Sequence, residues 1–199
     1  MAVKELKFVN IEGMYGGNQY RFTHPRMYRG GCSTVAACHA SICLAELKPE
    51  KSALSPLHGL NVTDEEFTDF AKEMFKYVYP QKRGIDSVQL FEEAYLNYVK
   101  TTGVEVLMHS LSGQAKFEDA RDFIKNHIDN GITVQYLLLH HSNKEFSEIE
   151  WHWFTVTGYE ENGDDFSIIY STWAERRTAD LKALWNIGVD EYGGLLAIM

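Results

Sequence analysis

Cysteine is scarce in this chain, with three residues in 199. An odd number offers no disulfide framework, so a reducing compartment is expected, the cytoplasm by default. Long apolar runs are missing as well. The best of them, 132–139, is interrupted by Thr133 and Gln135. It falls far short of the ~20 residues a bilayer-spanning helix needs, so no membrane association is expected. The opening stretch, Met1-Ala-Val-Lys-Glu-Leu-Lys-Phe, alternates charged and apolar residues where a secretory signal would carry a continuous apolar core. Positive charge is also in deficit: 19 Lys and Arg against 28 Asp and Glu leave a formal net charge of -9. Binding to a phosphate backbone rests on clustered cations that release counterions. The basic stretches Arg21–Arg29 and Lys82–Arg83 are short and diluted, so nucleic acid is not an expected partner.

What is present is ample core material. The chain is 45% hydrophobic with 11 Tyr and 11 Phe, too apolar for a disordered segment. At this length one domain spanning 1–199 is expected, and it would bury roughly two-thirds of its unfolded surface. There is no internal repeat, low-complexity tract or linker.

Residues 3–9 read as a short strand. Residues 13–31, with five glycines and a proline, read as a loop leading to a helix. From Cys32 to about Leu47 small and apolar residues occur almost all round, and Pro49 follows. That pattern predicts a buried central helix. Thr63-Asp-Glu-Glu-Phe predicts a capped helix start, the helix running to about Tyr77. Further helices fit Ile85–Lys100 and Phe117–Asn130. After Gly131 the pattern turns to strands: Thr133–His141, Trp151–Tyr159, then a turn at Glu160–Asp165 centred on Asn-Gly, and Phe166–Thr172 returning. A short helix at Leu181–Trp185 and a closing strand at Leu195–Met199 complete the reading. Helices first and an antiparallel sheet afterwards is an α+β order. A helical insertion would fall at about 50–130 and the sheet at about 131–199.

Gly30-Gly31-Cys32 places Cys32 at the leading end of the buried helix. A helix N-terminus favours an anion, and its unpaired N–H groups can bond a thiolate, so such a thiol is expected to have a lowered pKa and raised nucleophilicity. The competing reading is a small core residue. Cys38 lies about 240° round the helix from Cys32, and Cys43 about 16 Å further along it. Neither can share a metal with Cys32, so both are read as core. His152 sits in a strand among Trp and Phe. It is either a core histidine satisfied by a carbonyl or a general base held on a rigid element.

A cysteine opening a long buried helix, followed much later by His152-Trp-Phe-Thr-Val-Thr-Gly-Tyr159, a turn and another strand, resembles the papain-like cysteine peptidases. It is most similar to the bacteriocin-processing leader-peptidase group. Cys32-Ser-Thr-Val-Ala-Ala matches the family's cysteine segment, and the helix and strand at about 119–140 agree as well. The resemblance covers about half the chain and leaves 50–116 unmatched. It implies a papain-like fold, with a helical N-terminal half whose central helix packs on an antiparallel sheet. It also implies a peptide or small amide substrate, Cys32 as nucleophile, His152 as base, and no cofactor.

The family's third triad residue, an Asn or Asp on the return strand, falls on Ser171 in Ser171-Thr-Trp-Ala. Thr172 is a neighbouring candidate, and Asp165 an alternative carboxylate. The family's oxyanion glutamine, about six residues before the cysteine, would fall on Arg26. Gln19, the nearest upstream glutamine, is the candidate if the glycine-rich loop folds back. The replaced Asn and Gln leave a catalytically inactive binding module, or an acyltransferase using the same pair, as alternatives to hydrolysis. Adjacent strand residues point to opposite faces, so at most one of His140 and His141 can join His152, and no metal is expected.

Overall fold

The computed structural model describes residues 2–199. Strand β1 (Ala2–Glu5) is followed by β2 (Asn10–Ile11) and β3 (Met14–Tyr15), which form a small hairpin. A 3-10 turn at Gln19–Arg21 and the short helix α1 (Pro25–Gly30) lead into α2 (Cys32–Leu47). Strand β4 (Asn61–Val62) pairs in parallel with β2. Then come α3 (Asp64–Met74), α4 (Val88–Thr102), β5 (Met108–Ser112), α5 (Phe117–Asp129) and β6 (Val134–Leu138). The chain closes with β7 (His152–Asn162), β8 (Asp165–Thr172), β9 (Glu175–Asp180), α6 (Leu181–Trp185) and β10 (Gly194–Ile198).

Seven strands form one sheet in the order β5-β10-β6-β7-β8-β9, with β1 paired to the outer half of β7. Every pairing in it is antiparallel. Helices around a large antiparallel sheet make this an α+β protein, as the element order predicts.

Helix α2 carries the core. Every residue from Ser33 to Leu44 is buried, which is why the sequence shows no polar face. Its polar members find partners inside: Thr34 Oγ1 donates to the Val78 carbonyl at 3.0 Å, and the Ser41 and Tyr95 hydroxyls bond at 2.8 Å. Gly31 joins α1 to α2, and only glycine fits there, because a Cβ would sit 2.3 Å from the Met27 carbonyl oxygen. The capping box before α3 is present, with Glu66 N–H donating to Thr63 Oγ1 at 3.2 Å and Thr63 N–H to Glu66 Oε2 at 2.8 Å.

The small sheet of β2, β3 and β4 is not expected from the sequence, and two strands of the main sheet escape the reading as well. Met108–Ser112 and Glu175–Asp180 are exposed or half-buried along most of their length and form the two edges of the main sheet. Edge strands bury little, so they carry weak apolar alternation. The sheet therefore recruits 2–5 and 108–112 as well as residues after 131. Helix α3 ends at Met74 rather than Tyr77.

Candidate active site

Cys32 is the first residue of α2 and is half-buried, whereas Cys38 and Cys43 are buried in the core. It opens onto a cleft of about 710 Å³ that is also lined by Gln19, Trp151, His152, Trp153 and Trp173. A narrow inner recess continues from Cys32 and His152 toward Val35 and His39. The two predicted residues thus share one cavity although 120 positions separate them. No direct hydrogen bond joins thiol and imidazole.

His152 opens β7 directly after Trp151 and pairs with Leu138 of β6. Its Nε2 lies 2.7 Å from Thr172 Oγ1, and its ring stacks on Trp173 with centroids 4.7 Å apart. Ser171, the residue predicted for this role, is elsewhere. It pairs across the ladder with Thr155, and its hydroxyl donates to the Tyr15 carbonyl at 2.7 Å. Successive strand residues face opposite sides of the sheet, so when Ser171 faces the Tyr15 loop, Thr172 must face His152. Asp165 starts β8 opposite Asn162, at the far end of the hairpin, and takes no part.

Gln19 is 5% exposed, lines the cleft and the recess beside Cys32, and donates from Nε2 to the Tyr28 carbonyl at 3.2 Å. The loop that carries it is fastened on two sides. Gly17 N–H donates to His39 Nε2 at 2.8 Å, Asn18 Nδ2 donates to the Trp173 carbonyl at 3.2 Å, and Ala174 N–H donates to the Gly17 carbonyl at 3.1 Å. Arg26 stands on α1 in the wall of the cleft.

His39 had no role in the sequence reading. It lies two helical turns below Cys32, and because Nε2 accepts from Gly17, its proton is on Nδ1. That N–H points to Thr155 Oγ1 at 3.1 Å; Thr155 in turn donates to Gln135 Oε1 at 2.8 Å, and Gln135 Nε2 donates to Thr133 Oγ1 at 3.2 Å. This chain of hydrogen bonds links loop, helix and sheet beside the recess. The sequence signal was a histidine in an otherwise apolar helix. Its partners come from segments remote in sequence.

Burial governs the electrostatics. It pushes the Cys32 thiol above its usual pKa, against the opposing pull of the Trp153, Ser33 and Cys32 backbone N–H groups. It also lowers the His152 imidazole to about 3, with Arg177 adding to the shift. The lowered thiol expected from the helix end is thus overridden by desolvation. The resting pair is thiol and neutral imidazole.

Backbone strain gathers here. Among the described residues four non-glycine residues have positive φ; Trp151 at 54° and Trp173 at 49° line the cleft, and Ala174 at 67° follows Trp173. Trp173 and Ala174 are the two central residues of the turn closed by Thr172 and Glu175, a tight hairpin usually built from Asn and Gly. Each such residue costs about 1–2 kcal/mol, and strain of this kind persists where surrounding contacts impose it, often at functional sites.

His140 and His141 are engaged elsewhere. His140 lies 3.4 Å from both Glu150 and Glu191, and His141 Nε2 donates to the Ala183 carbonyl at 3.0 Å. Among the described residues no helix is long and apolar enough to cross a membrane.

Neither a scan against protein-family models nor a search of curated proteins gives a match for this chain. Fold and site define an α+β protein whose helix-leading cysteine and strand-leading histidine open onto one strained, aromatic cleft.

Proposed function

We propose that the protein is a papain-like thiol hydrolase that cleaves a peptide or amide bond through an acyl-thioester. One observation carries this reading: Cys32 at the start of a buried helix and His152 at the start of a strand line the same cleft, beside a buried glutamine. Catalytic hydrogen bonds are often long before substrate arrives and tighten with it.

In this reading His152 is a true general base. As Cys32 Sγ forms a bond to the substrate carbonyl carbon, the thiol proton passes to the imidazole. Nε2 is held by Thr172, which leaves Nδ1 as the nitrogen that receives it. The tetrahedral oxyanion is met by the Cys32 backbone N–H and the second Nε2–H of Gln19. Its collapse breaks the C–N bond, and the amine leaves with the proton from His152. Water, deprotonated by the same imidazole, then hydrolyses the thioester and restores the thiol. Three free cysteines, two of them in the core, suit a reducing compartment.

The test is alkylation by iodoacetamide, followed by mass spectrometry of each cysteine. Cys32 is expected to react at pH 7 at least tenfold faster in the native protein than in the His152→Ala variant. Equal rates in the two proteins would sink the hydrolase and favour the binding module.

A further inference from the structure

We infer that the substrate carries a carboxylate close to the scissile bond, an acidic peptide in practice, and that Arg26 and Arg29 receive it. The inference rests on the thiol-hydrolase reading and deepens it.

It begins from the arginines. Of the seven in the chain, five are ion-paired: Arg21 with Asp64, Arg83 with Glu191, Arg121 with Asp122, Arg176 with Glu5 and Arg177 with Glu175. Among the described residues only Arg26 and Arg29 have no carboxylate partner, and both line the cleft that holds Cys32. They are one turn apart on α1, so they share a face, and Gly30-Gly31 brings that face to the nucleophile. The Arg26 guanidinium is steadied without being neutralised: it lies 5.3 Å from the Tyr79 ring centre, and Nη1 donates to the Pro80 carbonyl at 3.5 Å.

The carboxylates that line the cleft face other groups than these two arginines. Asp86 faces Arg83 at 3.8 Å, Glu148 faces Arg177 at 3.3 Å, and Glu150 faces His140 at 3.4 Å. Lys82 also lines the cleft and, among the described residues, has no ion pair. One wall therefore keeps positive charge in a chain whose net charge is -9. A concave site concentrates such a field, and a guanidinium fork matches a carboxylate in geometry as well as sign.

Two alkylating reagents of nearly equal size separate charge from reactivity. Iodoacetate is anionic and iodoacetamide neutral; in each the thiolate displaces iodide. The ratio of their rates at Cys32 is expected to exceed that of glutathione at least fivefold at low salt, and to fall back toward it in R26Q/R29Q and in 0.5 M NaCl. A ratio equal to that of glutathione, unchanged by the double substitution, overturns the inference. Should Cys32 react with neither reagent, the hydrolase reading fails, and binding decides the anion site on its own. Rhodamine-labelled Ala/Asp and Ala/Asn pentapeptides are compared by fluorescence anisotropy on the Cys32→Ser protein. At least fivefold tighter binding of the Asp peptide, lost in C32S/R26Q/R29Q of unchanged circular dichroism, supports the site. Equal affinities, or no binding of either peptide, overturn it.

Discussion

His152 places Nε2 2.7 Å from Thr172 Oγ1, across the open end of the β7–β8 hairpin. This contact orients the imidazole without supplying charge. Thr172→Val keeps the shape and deletes the hydrogen bond, a loss of about 1 kcal/mol or somewhat more. The Cys32 alkylation rate is therefore expected to fall roughly fivefold to tenfold. Ser171→Ala leaves the Tyr15 carbonyl without its donor and should lower stability by about 1 kcal/mol, with little change in that rate. The reverse pattern would return the orienting role to Ser171.

The pH profile follows from burial. A general base must be neutral to accept a proton, and His152 titrates at about 3. Alkylation of Cys32 should therefore run on a plateau from about pH 4 through neutral pH and decline only toward pH 3. Above the plateau the rate climbs as the raised thiol ionises directly. In His152→Ala the plateau disappears and the alkaline limb remains. A maximum near pH 6, as a preformed thiolate–imidazolium pair would give, contradicts the neutral resting state.

Stability should also fall in mild acid. His39 and His152 are both lowered to about 3, while an unfolded histidine titrates near 6.5. The unfolded chain thus binds protons that the native one refuses. The stability these neutral rings contribute is complete above pH 6.5 and is lost as pH falls toward 3. Urea midpoints measured from pH 7 to pH 4 should drop steeply. His39→Gln keeps an acceptor for the Gly17 N–H and removes one titrating group, so its midpoint should vary less with pH. An equal slope in both proteins would deny His39 its buried neutral state.

The glycine loop separates geometry from chemistry. Gly16 has φ of 83°, and a Cβ there would meet Ser171 Oγ at 2.5 Å and His39 Nε2 at 2.8 Å. Gly16→Ala is expected to cost about 2 kcal/mol or more in thermal unfolding, through strain and overpacking together. Gln19→Ala loses the hydrogen bond to the Tyr28 carbonyl and should cost about 1 kcal/mol in stability, less than Gly16→Ala. Its larger effect belongs to acyl transfer: the p-nitrophenyl acetate burst should slow about 100-fold, while iodoacetamide, which forms no oxyanion, reacts within about twofold of the parent. A burst unaffected by Gln19→Ala would remove Gln19 from the oxyanion hole.

Legibility in the sequence followed burial. Cys32–Leu47 could be read because a helix enclosed on all sides has no polar face to confuse the pattern, and α6 because its short apolar run is sharply bounded. The edge strands β5 and β9 could not, since Glu175-Arg-Arg-Thr-Ala-Asp180 is a strand only because β8 offers it a ladder. Ser171 and Thr172 differ by one position. Counting along a hairpin with a long turn and a register shift near Thr157 does not resolve one residue, yet one residue reverses the face.

By itself, then, the sequence determined the α+β class and singled out Cys32 and His152, because local periodicity and helix-end chemistry are written in neighbouring residues. Only the tertiary structure decided that Thr172 holds the imidazole, that His39 ties down the Gln19 loop, and that thiol and imidazole rest uncharged. Those outcomes depend on side chains from remote segments and on the water they exclude, and desolvation is a property of the folded surroundings rather than of any stretch of chain.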